Sequence, residues 1–477
     1  MRRFVYQLGG LLVLLIIIFS CNNNQEKEAA TSNDRPNIII LLADDLGYGD
    51  LSCYGSQSIE TPHLDSLAAS GMRFTNFYSG SAVCSPARAS LLTGKFPLRF
   101  DVRQHFTDSI DHLPEQAVTM AELLQEHGYN TCHIGKWHLG GLRLSDIERR
   151  NASQFALPGP LQQGFDHYLT NIEGRPFRPQ LISERKLYRE GGKTMLRNDQ
   201  QAPPSDDHWT EIKINEAINW LTSRDHDQPF FLNLWFDVPH TPYEPAPEPH
   251  LSKYKAMGVE GDQLYFRSMV SHLDAQVGRL IRWLKQEGLY DNTLIIFTSD
   301  NGPAYQGSPG PFKGGKTDLH EGGIRVPMFA VWNNRIPANQ HSFQTAHMVD
   351  LLPTFAGLAG FDPPDDQDGI DILPVLTGRQ ESLNRPALLW QMDLYRHFQN
   401  QGPKPEPYAT GVVIDGKWKL LADSLRPTEV FDLRQDHREI YNLLDDHNTV
   451  RDTLLQKLEE FYQAPRLRWE DEGLKPY

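Results

Sequence analysis

The sequence predicts an α/β fold: a mostly parallel sheet flanked by helices, followed by a small C-terminal subdomain of antiparallel strands and one helix. Three observations predict it. Four continuous apolar runs, at residues 37–43, 230–236, 294–297 and 327–332, have the length and composition of strands covered on both faces. Helical stretches at 118–127, 215–223 and 268–287 lie among them, and such alternation is the pattern of a parallel sheet. The tail differs. Residues 412–421 read as a hairpin about Asp415-Gly416, 429–433 as a further strand, and 449–463 as an amphipathic helix.

Taken in order, the chain opens with Arg2-Arg3 and an apolar stretch at 11–19, shorter than the roughly 20 residues a membrane span needs. Ser20-Cys21 and then Asn22-Asn23-Asn24 follow. This arrangement resembles a bacterial lipoprotein cleavage box, with Ile18-Phe19 departing from it. It implies a signal peptide at 1–21, lipidation of Cys21, and an exported protein anchored in the outer membrane on the periplasmic or cell-surface side. Simple secretion or a retained anchor are the alternatives. Polar residues 22–34 suit a tether, residues 35–400 a catalytic domain, and 401–477 the subdomain, which begins at the Gln401-Gly402-Pro403 break.

In an α/β sheet, functional groups collect at the carboxyl ends of the strands. The first run is followed at once by Asp44-Asp45, the second by His240, and the third by Asp300-Asn301. Adjacent carboxylates and an amide oxygen suit a hard cation, although each pair alone also suits a solvated turn.

A chain of 477 residues with 39% hydrophobic and 22% charged residues has ample interior for a core. The formal net charge of −15 argues against a nucleic-acid partner. It does not argue against an anionic substrate, because local charges control a pocket at short range. Of the four cysteines, Cys53 and Cys132 could pair or remain as buried thiols.

The richest motif is Cys84-Ser85-Pro86-Ala87-Arg88, continuing to Leu91-Leu92-Thr93-Gly94. Ser85 reads as a helix cap, Pro86 as the first helical residue, and Arg88 as a cation one turn from Cys84. A second segment, Gly135-Lys136-Trp137-His138-Leu139-Gly140, places a lysine and a histidine two apart between glycines, an anion-facing edge. A third, from Gly314-Gly315-Lys316 to Glu321-Gly322-Gly323-Ile324-Arg325, carries Lys316.

The motif at Cys84 resembles the signature of the type I, formylglycine-dependent sulfatases, and matches every fixed position of Cys-x-Pro-x-Arg-x-x-x-x-Thr-Gly. The resemblance extends from Pro36 to about Asn448 and implies an alkaline-phosphatase-like fold. It implies that Cys84 is oxidised to formylglycine by a maturation enzyme, and that Asp44, Asp45, Asp300 and Asn301, with residue 84, hold one Ca²⁺. It also implies that Arg88, Lys136 and Lys316 stabilise sulfuryl charge, that His240 with Lys316 protonates the leaving oxygen, and that His138 is the base for elimination. Glu321 and Arg325 read as scaffold. An aldehyde hydrate suits this chemistry: one hydroxyl attacks sulfur, and the second allows sulfate to be expelled by elimination.

An exported sulfatase fits the degradation of sulfated polysaccharides or oligosaccharides. Arg103, His105, Asn171, Glu173, Arg175 and Trp390 are candidate sugar contacts. A phosphonate monoester or phosphodiester hydrolase on the same fold is the alternative enzyme, and a non-catalytic glycan-binding lipoprotein the alternative of another class.

Overall fold

The protein is described by a computed structural model covering residues 35–106, 111–152, 156–171, 195–203, 205–393 and 408–468. The expected signal peptide, Cys21 and the tether lie outside the described residues.

Ten strands form the main sheet: β1 (Asn37–Ala43), β2 (Met72–Tyr78), β3 (Asn130–Gly135), β4 (His167–Asn171), β5 (Met195–Arg197), β6 (Gln200–Ala202), β7 (Phe230–Trp235), β8 (Thr293–Ser299), β9 (Met328–Val331) and β10 (Gln340–His347). Their order is β10-β2-β9-β8-β1-β7-β3-β4-β5-β6. The four apolar runs are therefore neighbours at the centre, as β9, β8, β1 and β7. From β8 to β4 all pairs are parallel, with Leu41 between Leu234 and Phe297. The run at 327–332 departs from this direction, because β9 pairs antiparallel with both β8 and β2.

Alternation along β1 shows why its run is apolar throughout. Ile38, Ile40 and Leu42 enter the core on one face, while Ile39, Leu41 and Ala43 enter the core on the other. Both faces are covered by helices, so neither set of side chains meets water.

Two helices begin earlier than periodicity predicts. The helix Trp209–Ser223 starts where His208 Nδ1 accepts a hydrogen bond from Thr210 N at 3.2 Å. The helix Gly261–Gln286 opens with a polar turn containing Asp262. An apolar-period reading starts late in both: the first helix opens with buried Thr210 and Lys213 mixed among its apolar residues, and the second buries nothing before Phe266.

A second sheet has the order β11-β12-β13-β14, comprising β11 (Leu388–Gln391), β12 (Gly411–Asp415), β13 (Trp418–Asp423) and β14 (Arg426–Asp432), all antiparallel. The hairpin turns at Gly416, whose φ of 58° lies in the left-handed region. The helix Asn448–Tyr462 packs on this sheet through Leu454, Leu458 and Phe461. Strand β11 arises ahead of residue 400. The sheet also shares a core with Tyr78, Val83 and Phe96 of the larger unit, so it buttresses the region around Cys84.

Candidate active site at the strand ends

Strands β8, β1 and β7 run side by side and end at the same edge. Asp300, Asp44 and Asp45, and the loop to His240 follow them there. The backbone closes the ends together: Asp44 N donates to Val238 O at 3.1 Å, and Asp300 N donates to Ala43 O at 3.0 Å. Asp45 turns with a φ of 65°, a conformation costly for a residue with a Cβ, and its amide donates to Asp300 Oδ1 at 3.1 Å. Asn301 Nδ2 donates to Asp45 Oδ1 at 2.8 Å.

Cys84 is the first residue of the helix Cys84–Thr93, and its cap is Val83, in extended conformation without a side-chain hydrogen bond. The expectation that Ser85 caps this helix is therefore corrected. Ser85 Oγ instead accepts from Phe106 N at 3.0 Å, anchoring the chain that leads to His105. Pro86 sits in the first turn but not at its first position.

One turn on, Arg88 is fully buried. Its Nη2 donates to Asp300 Oδ2 at 2.7 Å, its Nη1 donates to Lys136 O at 2.7 Å, and its guanidinium lies 5.0 Å from the centre of the Trp235 ring. The fork thus ties the ends of β8 and β3 to the helix bearing Cys84.

The turn after β3 depends on Gly135. Its φ is 108°, and a Cβ there would stand 1.6 Å from Trp235 O. Past it, Lys136 Nζ lies 3.0 and 2.8 Å from the two oxygens of Asp44. His138 has a φ of 60° and lines the same cavity as Lys136. Lys316 Nζ donates to Asp45 Oδ2 at 2.8 Å, and His240 Nε2 lies 3.6 Å from Asp45 Oδ2. His240 Nδ1 is held by the Thr241 carbonyl, which directs Nε2 toward the carboxylates.

The charges interlock. Burial opposes ionisation of Asp44, but Lys136, His240, Arg88 and Lys316 together hold it well below the usual carboxylate range. Asp45 is lowered as well, against burial, chiefly by Lys316. Asp300 goes the other way, pushed up to about 8 by burial and by the charge of Asp44. Burial, then Lys136 and Arg88, lower His138 well below the usual histidine range, so it is a neutral imidazole at neutral pH. Asp45 outweighs burial at Lys316, which is raised and stays cationic.

Oxygens from three carboxylates and one amide meet here, and Asp44, Asp45 and His240 offer ligand atoms within 4.8 Å of one another. Asn301 Oδ1 is buried and has no hydrogen-bond partner. An orphaned buried oxygen beside clustered carboxylates fits a hard cation such as Ca²⁺. Above this cluster lies a cavity of about 470 Å³, lined by Cys84, Lys136, His138, His240 and Lys316 among others.

The sulfatase family profile matches residues 36–361, and the profile described as N-sulphoglucosamine sulphohydrolase, C-terminal, matches residues 315–464. The chain belongs to the sulfatase family. It is 36% identical over 382 residues to N-acetylgalactosamine-6-sulfatase of Canis lupus familiaris, covering 75% of this chain and 69% of that one. It is 32% identical over 474 residues to arylsulfatase A of Homo sapiens, covering 89% and 86%. The crystal structure of Ps i-CgsB in complex with k-i-k-neocarrahexaose superposes with a TM-score of 0.75 at 27% identity, covering 91% of this chain and 94% of that one. The family is one of sulfuric ester hydrolases.

Among the expected sugar contacts, His105 and Asn171 line the cavity of this sulfatase-family chain. Trp390 does not reach it and is corrected to a core residue. It is 1% exposed, and its Nε1 donates to Ser79 O at 2.8 Å across the junction with the small sheet. Arg103 is absent from the lining and pairs with Asp393 at 2.9 Å and Asp101 at 3.2 Å. Glu173 and Arg175 lie outside the described residues. Cys53 and Cys132 are free thiols, which closes the pairing alternative. Glu321 and Arg325 are scaffold, as expected: Glu321 accepts from Tyr78, Lys419 and Arg325 inside the protein.

Among the charged and aromatic residues that line or support the cavity, four escaped the sequence reading. Asp237 and Glu244 flank His240, Trp209 opens a helix, and Lys213 lies one turn further along that helix. Asp237 had a signal, being an acid just past the end of β7. For the other three the sequence carried none.

Proposed function

We propose that this chain hydrolyses sulfate esters of polysaccharides or oligosaccharides, in the degradation of sulfated glycans. One observation carries the reading: Cys84 opens onto a cavity in which Lys136, Lys316, His138 and His240 converge above a cluster of carboxylates. The names of the relatives, an amino-sugar sulfatase and a protein crystallised with a neocarrahexaose, favour a carbohydrate as the alcohol.

Asp44, Asp45, Asp300 and Asn301, with residue 84, would hold Ca²⁺, which supplies Lewis-acid stabilisation of sulfuryl oxygens. Matured to formylglycine, residue 84 would supply a hydrated aldehyde, one hydroxyl for attack at sulfur and one for release of sulfate by elimination. The remaining work falls to ordinary side chains. Lys136 and Lys316, held cationic by Asp44 and Asp45, draw the sulfate into place and balance charge developing on its oxygens. Arg88 is too buried to follow the substrate; it pairs with Asp300, opposing the upward push that burial gives that carboxyl, and fixes the helix that presents residue 84. His138, neutral, takes the proton during elimination. His240, with its Nδ1–H given to the Thr241 carbonyl, turns Nε2 toward the leaving oxygen and would protonate it as the imidazolium; burial lowers its pKa, so the Lys316 ammonium supplies the proton when the ring is neutral.

The N-terminus suggests export and lipidation at Cys21, with the membrane and a formylglycine-generating enzyme as partners. Among the described residues no helix is long and apolar enough to cross a membrane. Two measurements test the whole: mass analysis of the tryptic peptide containing residue 84, and sulfate release from a panel of sulfated oligosaccharides beside 4-nitrophenyl phosphodiesters. An unmodified thiol in active enzyme, or brisk cleavage of phosphorus esters with no sulfate release, overturns the reading.

A further inference from the structure

Lys136 is held by its backbone before its ammonium reaches Asp44. Lys136 N donates to Trp235 O at 3.1 Å, Lys136 O accepts from Arg88 Nη1 at 2.7 Å, and the preceding carbonyl, Gly135 O, lies 3.2 Å from His133 Nε2. His133 belongs to β3 and has no part in the chemistry outlined above.

This histidine is fully buried, in a place where an apolar side chain would pack at lower cost. Three rings enclose it: Trp137 and Trp235 meet it edge-on with centroids 5.0 Å away, and Phe165 lies at 5.4 Å. Its other nitrogen, Nδ1, lies 3.2 Å from Nδ2 of Asn233, its register partner on β7. These contacts fix the tautomer. A carbonyl only accepts, so Nε2 carries the proton toward Gly135 O, and Nδ1 accepts from the Asn233 amide. The ring is neutral, because burial and then the charge of Arg88 lower its pKa to about 3, against the pull of the Gly135 carbonyl.

His133 thus touches the chain on both sides of Lys136, at the carbonyl before it and at the Trp137 ring after it. Gly135 has no Cβ to restrict its rotation, so a donor on its carbonyl removes freedom that the sequence leaves open. Resting on the reading of Lys136 as the cation that balances sulfuryl charge, we infer that His133 is a positioning residue for sulfate ester hydrolysis, fixing through Gly135 O and Trp137 where the Lys136 ammonium stands. A misplacement of about 1 Å in such a group can cost up to about 100-fold in rate.

The test is a double-mutant cycle read as kcat/KM on 4-nitrophenyl sulfate, with thermal melts to confirm folding. His133→Phe keeps ring packing and loses the donor. It should lower kcat/KM about tenfold in the native background and less than about twofold beside Lys136→Ala, which has no ammonium left to misplace. His133→Gln, whose amide can donate to Gly135 O and accept from Asn233, should stay within about threefold of the native enzyme. A loss that persists undiminished beside Lys136→Ala, an equal loss in His133→Gln, or no loss in His133→Phe overturns the positioning role while leaving the sulfatase activity intact. If Lys136→Ala itself keeps the native kcat/KM, the role of Lys136 is refuted and the inference falls with it. If the native enzyme releases sulfate from no ester, the proposed activity is refuted as well. Should His133→Phe fail to fold, Asn233→Ala, which removes only the donor to Nδ1, takes its place in the cycle. A loss of about threefold that vanishes beside Lys136→Ala is then expected, and no loss or a fully additive one overturns the inference.

Discussion

Arg88 Nη2 lies 2.7 Å from Asp300 Oδ2 and 3.4 Å from Asp44 Oδ1, with all three side chains at most 1% exposed. A single buried guanidinium thus binds the ends of two strands to the helix that presents residue 84. Arg88→Ala leaves Asp300 without its strongest partner in the interior, and should cost about 3–5 kcal/mol of stability. Arg88→Lys keeps the charge and loses the fork, so it should melt closer to the native protein yet lose about 100-fold in kcat/KM. Thermal melts beside steady-state kinetics separate the two effects.

Cys84→Ser provides one hydroxyl without the second that elimination requires. On the proposed mechanism this variant should release at most one equivalent of alcohol per active site and then stop, keeping sulfate on the enzyme. Rapid-quench measurement with 4-nitrophenyl sulfate reads the burst, and intact mass reads the adduct. Multiple turnovers at the native rate contradict the role given to residue 84.

Chelation should act on stability as well as on rate, because the oxygens of Asp44, Asp45, Asp300 and Asn301 converge only in the fold. Calcium at about 100 times its Kd should raise stability by about 2.7 kcal/mol over the chelated protein. Asn301→Ala, which removes the orphaned buried oxygen, should reduce that gain. Calorimetric melts with and without Ca²⁺ check this, and an identical melting temperature in both counts against the metal site.

His320 sits between Asp318, at 2.6 Å, and Glu429 of β14, at 2.7 Å, linking the segment that carries Lys316 to the small sheet. Burial works against the imidazolium, yet the two carboxylates more than offset it and raise its pKa from 6.5 to about 9. A raised folded-state pKa contributes stability that is complete below about 6.5 and disappears as pH climbs through about 9, at most about 3 kcal/mol. The melting temperature should fall across that window, and His320→Gln should flatten the fall. A native profile that is flat between pH 6.5 and 9 contradicts this.

Lys419 is fully buried between Glu321, at 2.9 Å, and Glu439, at 2.7 Å. Lys419→Met strands two carboxylates in the interior and should cost about 3–5 kcal/mol. The loss is read by urea unfolding. Lys419→Met combined with Glu439→Gln should recover part of it, because one uncompensated charge is gone.

Much of this protein can be read in chain order. The central strands β1, β7 and β8 stand out because burial on both faces leaves an unbroken apolar run, and the acids beyond them stand out because water-facing groups resume where the strand ends. The motif about Cys84 and the Lys-x-His after β3 are local in the same sense. Other features depend on contacts between distant segments. The hydrogen bond from Phe106 N to Ser85 Oγ, the burial of Trp390 against Ser79, and the Lys213–Asp237 pair each join residues whose meeting no periodicity records. Short-range pattern reports how a segment meets water, and so reveals strands, helices and their ends. Which carboxylate a lysine reaches across the fold, as Lys213 reaches Asp237, is set by packing of the whole chain.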